Sequence, residues 1–225
     1  MKILILPGLD GTGKLVSELV EMLSPGHEVT AVQYAPDAIT YHDIEAQVES
    51  ILPASEYIIV AESFSGPLAV MIASQKPIGL RGVVFVATFA KTPLNVPKFL
   101  TYIIDIAPIK SRLLMRLAQP FLMGKWATPE FTVRFMQVMK AVPASTIAGR
   151  LREVLESNVV KQIASIEVPT VYLTARGDRL IPSRMASDFD RSLNTHFVIE
   201  GPHFLLQANA AESSKHILDF TSRID

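Results

Sequence analysis

Six short apolar runs recur along the chain without polar alternation: Lys2 to Leu6, Glu28 to Tyr34, Tyr57 to Ala61, Gly82 to Thr88, Thr170 to Thr174 and His196 to Glu200. Runs of this kind suit strands covered on both faces, because a strand with one wet face alternates apolar with polar residues. Between them lie segments with helical spacing: Gly13 to Leu23, Asp43 to Leu52, Ser65 to Gln75, Ser183 to Leu193 and Leu205 to Arg223. Alternating strands and helices predict an α/β fold with a mostly parallel sheet of about six strands, helices on both faces, and a site at the strands' carboxyl ends.

The alternation stops between Ala90 and Ile166, where helix-like patches are separated by Pro93, Pro97, Pro108, Pro120, Pro129 and Pro143. The expected organisation is a core of residues 1–89 and 167–225 with a helical cap or lid inserted at 90–166. With 225 residues, 49% of them hydrophobic, one sizeable core can be buried. The insertion is basic, with eleven Lys and Arg against four Asp and Glu, while the rest of the chain has ten against eighteen. A net charge of −1 and the lack of an interleaved basic and aromatic tract argue against nucleic acid as a partner. Cysteine is absent, which removes disulfides, thiolate metal sites and cysteine nucleophiles together. No segment approaches the roughly 20 apolar residues of a membrane span. The start, Met1 to Gly8, has too short an apolar run for a signal peptide and reads as a buried strand, so a cytoplasmic location is expected.

Directly after Tyr57 to Ala61 comes Glu62-Ser63-Phe64-Ser65-Gly66, which reads as a strand, a tight turn and a helix beginning at the serine. Small residues at Ala61, Ser65 and Gly66 suit such a turn, where bulky side chains would collide. A serine on this elbow presents its hydroxyl at the strand's carboxyl end, as nucleophilic serines are presented. The plainer reading is a helix N-cap.

Two downstream residues share that edge. Asp178 follows the strand Val171-Tyr172-Leu173-Thr174 on the loop Ala175-Arg176-Gly177-Asp178, and His203 follows Phe197-Val198-Ile199 on Glu200-Gly201-Pro202-His203. A turn aspartate satisfying its own backbone and a solvated loop histidine are the plainer readings. Among the five histidines, His27 precedes a strand, His42 lies near a helix start, His196 is at a strand start and His216 is inside the last helix. A serine nucleophile needs a base to take its proton and an acid to orient that base, and Ser63, Asp178 and His203 occur in a workable order.

At this point the chain resembles the α/β-hydrolase superfamily, on Leu6-Pro7-Gly8-Leu9-Asp10-Gly11, the Ser63 elbow, Gly177-Asp178 and Gly201-Pro202-His203-Phe204. The chain departs from the family at Pro7, where many members have histidine, at Ala61 and Ser65 of the elbow, and at Pro202. Its first strand corresponds to the family's third. The resemblance implies a serine hydrolase with Ser63 as nucleophile, His203 as base and Asp178 as its orienting acid. It also implies an oxyanion hole from the backbone amides of Leu9 and Phe64, with Asp10 a less favoured second donor. The implied substrate is a carboxylic ester or acyl thioester cleaved through an acyl-enzyme, with no metal or organic cofactor. Acyl transfer, amide cleavage and carbon–carbon bond hydrolysis use the same fold, and so do small-molecule receptors.

Two further features have competing readings. Gly8-Leu9-Asp10-Gly11-Thr12-Gly13-Lys14 fits the spacing of a phosphate-binding loop, but Leu15 stands where a magnesium-binding hydroxyl is needed. The insertion's apolar residues, among them Trp126, Phe135 and Met139, could cover an acyl chain or could serve only as packing. Its basic surplus is either a solvated face or a surface for an anionic carrier of the acyl group, such as coenzyme A or a carrier protein.

Overall fold

The computed structural model describes residues 1–93, 119, 121–190 and 193–224. Six strands form one sheet: β1 (Lys2–Leu6), β2 (Glu28–Ala31), β3 (Tyr57–Glu62), β4 (Leu80–Val86), β5 (Thr170–Ala175) and β6 (Leu193–Ile199), in the order β2-β1-β3-β4-β5-β6. Every neighbouring pair is parallel, so both faces must be covered.

Successive side chains of a strand point to opposite faces, which divides the apolar runs between two cores. Ile3, Ile5, Ile58, Val60, Val84, Val86 and Leu173 face α1 (Ser17–Leu23) and α8 (Ala210–Ile224), whose Leu19, Leu23, Ile217 and Phe220 are buried against them. Leu4, Leu6, Ile59, Ala61, Phe85 and Tyr172 face α2 (Tyr41–Glu49), α3 (Ser65–Ser74) and α6 (Val160–Ile163). Helix α3 buries nearly all its residues, because it lies between the sheet and α2 and α6.

β1 has β2 on one side and β3 on the other, so the chain reverses its winding direction there. Ligands of open parallel sheets bind at such a switch point, outside the strands' carboxyl ends. The register sets Leu6 of β1 beside Ala61 of β3, which brings the loop after β1 next to the turn after β3.

Between β4 and β5 the described elements are helical: a 3₁₀ turn Gly124–Trp126, α4 (Pro129–Ala141), α5 (Ala144–Glu156) and α6. The ends of this stretch are stitched together, with Lys91 and Asn158 in an antiparallel bridge, Val159 N donating to Ala90 O at 2.7 Å and Thr92 N to Ser157 O at 3.0 Å. The expected apolar residues Phe99, Tyr102, Ile103, Ile104, Leu113, Leu114, Met115 and Leu117, and the bases Lys98, Lys110, Arg112 and Arg116, lie outside the described residues.

Several element bounds differ from the sequence expectation for physical reasons. α2 starts at Tyr41, two residues early, because Thr40 and Asp43 form a reciprocal capping box. β2 ends at Ala31 because the chain turns to cover the loop after β1, with Tyr34 N donating to Gly11 O at 2.8 Å. The expected helix from Ser183 to Leu193 is a 3₁₀ segment, Ser183–Phe189, in which the Ser187 hydroxyl donates to Arg184 O and competes with the backbone ladder. β6 consequently starts at Leu193, leaving His196 within the strand. The last helix is two: α7 (Leu205–Ala208) and α8, divided at Asn209, whose side chain donates to Glu200 O and accepts from Glu212 N.

Candidate active site

The turn after β3 is left-handed at Ser63, with φ of 51°, a region that costs energy for any residue bearing a Cβ. Helix α3 begins two residues later at Ser65, so Ser63 stands on the turn instead of opening the helix. Three contacts hold the strained residue: Ser63 N donates to Val86 O at 2.9 Å, Gly66 N donates to Ser63 O at 3.1 Å, and the buried Thr88 hydroxyl donates to Ser63 O. Gly66 allows this packing, since a Cβ there would collide with Thr88 Oγ1. Ser65 is also structural: its hydroxyl donates to Pro7 O and receives the Tyr34 hydroxyl at 2.6 Å, tying the turn to the loop after β1.

The loops after β5 and β6 are joined by Arg176 N to Ile199 O and Gly177 N to Gly201 O, both 2.8 Å. These bonds extend the parallel register past the strands and set Asp178 beside His203. His203 Nδ1 lies 2.9 Å from Asp178 Oδ2, and His203 Nε2 lies 2.8 Å from Ser63 Oγ. The second carboxylate oxygen of Asp178 accepts Leu180 N at 2.8 Å and Ile181 N at 2.9 Å, which fixes the carboxylate plane. Only 4% of the His203 side chain and 3% of that of Asp178 are exposed, whereas Ser63 is half-buried. With Asp178 accepting from Nδ1–H, Nε2 presents its lone pair to the serine hydroxyl. The structure thus brings Ser63, Asp178 and His203 together as one hydrogen-bonded row.

Leu9 and Phe64, the other two expected site residues, share with Ser63 the wall of a cavity of about 440 Å³. Among the described residues the N–H groups of Leu9 and Phe64 donate to no protein acceptor, so both remain able to receive a ligand oxygen. Phe64 is fixed by stacking on Tyr41 at 4.8 Å and by the Tyr41 hydroxyl donating to its carbonyl at 2.8 Å. Apart from Asp10, Ser63 and His203, the cavity lining is apolar, including Phe135, Met139, Ile147 and Leu151 from the stretch between β4 and β5. Among the described residues no group of three or more His, Asp or Glu side chains is placed to hold a metal, and no helix is long and apolar enough to cross a membrane.

Two buried ionisable residues of the site escaped the sequence reading. Glu62 immediately precedes the serine and is 2% exposed, with Oε2 accepting from Gln207 Nε2 at 3.0 Å and Oε1 unpaired. Burial pushes its carboxyl up to about 7, against the smaller opposing effects of Gln207 and His203. Arg150 of α5 is 1% exposed and donates to backbone carbonyls of the loop after β1. A charged residue inside an apolar run or an amphipathic helix carries no local mark of burial; only the tertiary packing shows it. Arg150 and Lys91, which pairs with Asp188 at 2.6 Å, are therefore not free charges of a basic outer face.

The sequence matches no protein-family model, and no curated protein is similar to it by sequence. Solved structures do resemble it. An enol-lactonase from Burkholderia xenovorans superposes with a TM-score of 0.85 at 13% identity, over 98% of this chain and 91% of that one. An esterase from Exiguobacterium antarcticum gives 0.85 at 8% identity, over 99% and 92%. An alpha/beta hydrolase enzyme from a deep-sea metagenome library gives 0.73 at 18% identity, over 98% and 89%.

Proposed function

From an α/β-hydrolase fold, we propose that this chain is a serine hydrolase acting on a carboxylic ester or acyl thioester with an apolar acyl group. The observation that carries the reading is the Ser63–His203–Asp178 hydrogen-bonded row at the floor of an apolar cavity. Ser63 Oγ attacks the carbonyl carbon as His203 Nε2 takes its proton, and Asp178 orients the imidazole and stabilises its cationic form. The tetrahedral oxyanion is received by the amides of Leu9 and Phe64, fixed donors of the kind worth about 3–4 kcal/mol each. Collapse expels the alcohol or thiol, which takes the proton back from His203. Water activated by the same nitrogen attacks the acyl-enzyme and releases the acid.

The described residues between β4 and β5 supply much of the cavity's apolar wall, which supports reading 90–166 as a cap over residues 1–89 and 167–225. An acyl group buried there gains about 25 cal/mol for each Å² of apolar surface removed from water, while a charged acyl group would lose hydration without a partner. A panel of p-nitrophenyl esters tests the reading. Turnover should rise along neutral acyl chains until the cavity is filled and should be at least tenfold lower for an acyl group ending in a carboxylate. Equal rates across the panel, or none, would contradict it.

A further inference from the structure

Arg150 is the most thoroughly buried cation of the described chain, yet no carboxylate forms a salt bridge with it. Its five N–H bonds all end on backbone oxygens: Nη1 on Leu9 O at 3.2 Å and Asp10 O at 3.1 Å, Nη2 on Ala35 O at 3.2 Å and Ala38 O at 2.9 Å, and Nε on Ala38 O at 3.2 Å. The guanidinium carbon also lies 5.5 Å from the Tyr34 ring centre. Burying a cation with no carboxylate in contact is costly, and here the compensation comes mainly from carbonyl dipoles converging from two segments, with the buried Asp10 carboxylate attracting it from further off. One segment is the loop that carries Leu9. The other is the return of the chain after β2.

In a trans peptide the C=O and N–H point in opposite directions, so fixing a carbonyl aims the neighbouring amide. Both peptides flanking the Leu9 Cα are fixed. Gly8 O accepts Gly11 N at 3.0 Å, closing a turn, and Leu9 O accepts Arg150 Nη1. Gly11 has a φ of 69°, and a Cβ there would strike Arg150 Nη1, so the loop is shaped around this side chain. α5 is itself fastened to the same region, with Glu153 accepting Tyr41 N at 2.8 Å.

We propose that Arg150 is a positioning residue for the reaction: from the helix α5 it holds the carbonyl on the carboxyl side of the Leu9 Cα while the Gly8–Gly11 turn holds the carbonyl on the other side, so that the Leu9 amide between them stays aimed at the developing oxyanion. The inference rests on the serine-hydrolase reading above. Loss of Arg150 weakens the tetrahedral state more than ground-state binding, because only the former places full negative charge at the amide.

The test compares wild type, Arg150→Lys and Arg150→Gln on the best p-nitrophenyl ester of the panel, together with inhibition by an alkyl boronic acid and by the carboxylic acid product. The boronic acid forms a tetrahedral adduct on Ser63, whereas the product does not. Both variants should lose ten- to hundredfold in kcat with KM changed by less than threefold. Boronic acid affinity should fall in parallel and product affinity should not. Gly149→Ala is the milder variant if neither folds: its Cβ meets the half-buried Ile39 side chain and lifts α5 from the segment holding Arg150, with the same direction of effect. Folded variants with kcat and boronic acid affinity within twofold of wild type overturn the proposal, as does an equal loss for boronic acid and product. A wild type that neither turns over esters nor binds boronic acid overturns the parent reading and this one with it.

Discussion

The row Ser63, His203, Asp178 and the loop from Pro7 to Lys14 both contribute to one cavity, through Ser63 and His203 and through Leu9 and Asp10, but they are held by different means. The row stands on three strand ends of a parallel sheet, and the bonds that align it, such as Gly177 N to Gly201 O, are continuations of strand pairing. The loop after β1 is held by side chains from distant segments: Arg150 on Leu9 and Asp10, and Ser65 with Tyr34 on Pro7. One wall is placed by topology and the other by buried polar contacts. Damage to the first should abolish chemistry outright, whereas damage to the second should grade it.

The largest expected effects come from the row. Ser63→Ala and His203→Ala should each lower ester kcat by roughly 10⁴- to 10⁶-fold and Asp178→Asn by a smaller but still large factor, with thermal midpoints showing an intact fold. Retained turnover in any folded variant of the three would remove that residue from the mechanism.

Gly66→Ala would show how far the row depends on its turn. Its Cβ would collide with Thr88 Oγ1, so either α3 or the Thr88 bond to Ser63 O must give. Overpacking of this kind costs about 1–3 kcal/mol. A drop of that size in urea-unfolding free energy with a ten- to hundredfold loss of kcat is expected. Thr88→Ala, which removes both the hydroxyl and the methyl that the new Cβ strikes, should restore part of the stability in the double variant. Absence of any rescue would mean that the clash is relieved elsewhere.

The smallest effect concerns Glu62, beneath the serine. Burial raises its native carboxyl to about 7 from an ordinary 4.5, so between those values the native state holds a proton that the unfolded chain releases. The stability linked to that proton is complete below about pH 4.5 and is lost as pH rises through 7. Glu62→Gln has no such proton to lose. Its stability relative to wild type should therefore grow between pH 5 and pH 8, by roughly 2–3 kcal/mol, in urea unfolding at the two pH values. Parallel curves at both would show that Glu62 is not a buried neutral acid.

The contrast between the two walls also describes what could be read from the sequence. The parallel sheet, the elbow and the places of Asp178 and His203 were legible because apolar runs and their carboxyl-end loops are local signals, and a parallel sheet aligns all such ends on one edge. The capping box at Thr40 and Asp43 is an equally local signal. Thr88, Ser65, Tyr34 and Arg150 were not legible in the same way. Each acts through a contact far along the chain, and a polar residue at such a position reads as surface until its partner is known. Arg150 is one of the eleven bases of the insertion, and composition cannot separate a solvated arginine from one that is 1% exposed.

The most direct measurement is intact-protein mass after exposure to a fluorophosphonate probe, for wild type, Ser63→Ala and His203→Ala, with the modified peptide sequenced. The account predicts one adduct on wild type, located on Ser63, absent in Ser63→Ala and formed at least a hundredfold more slowly in His203→Ala. A folded wild type that takes no adduct, or one that takes it at another residue, would contradict the claim that Ser63 is an activated nucleophile.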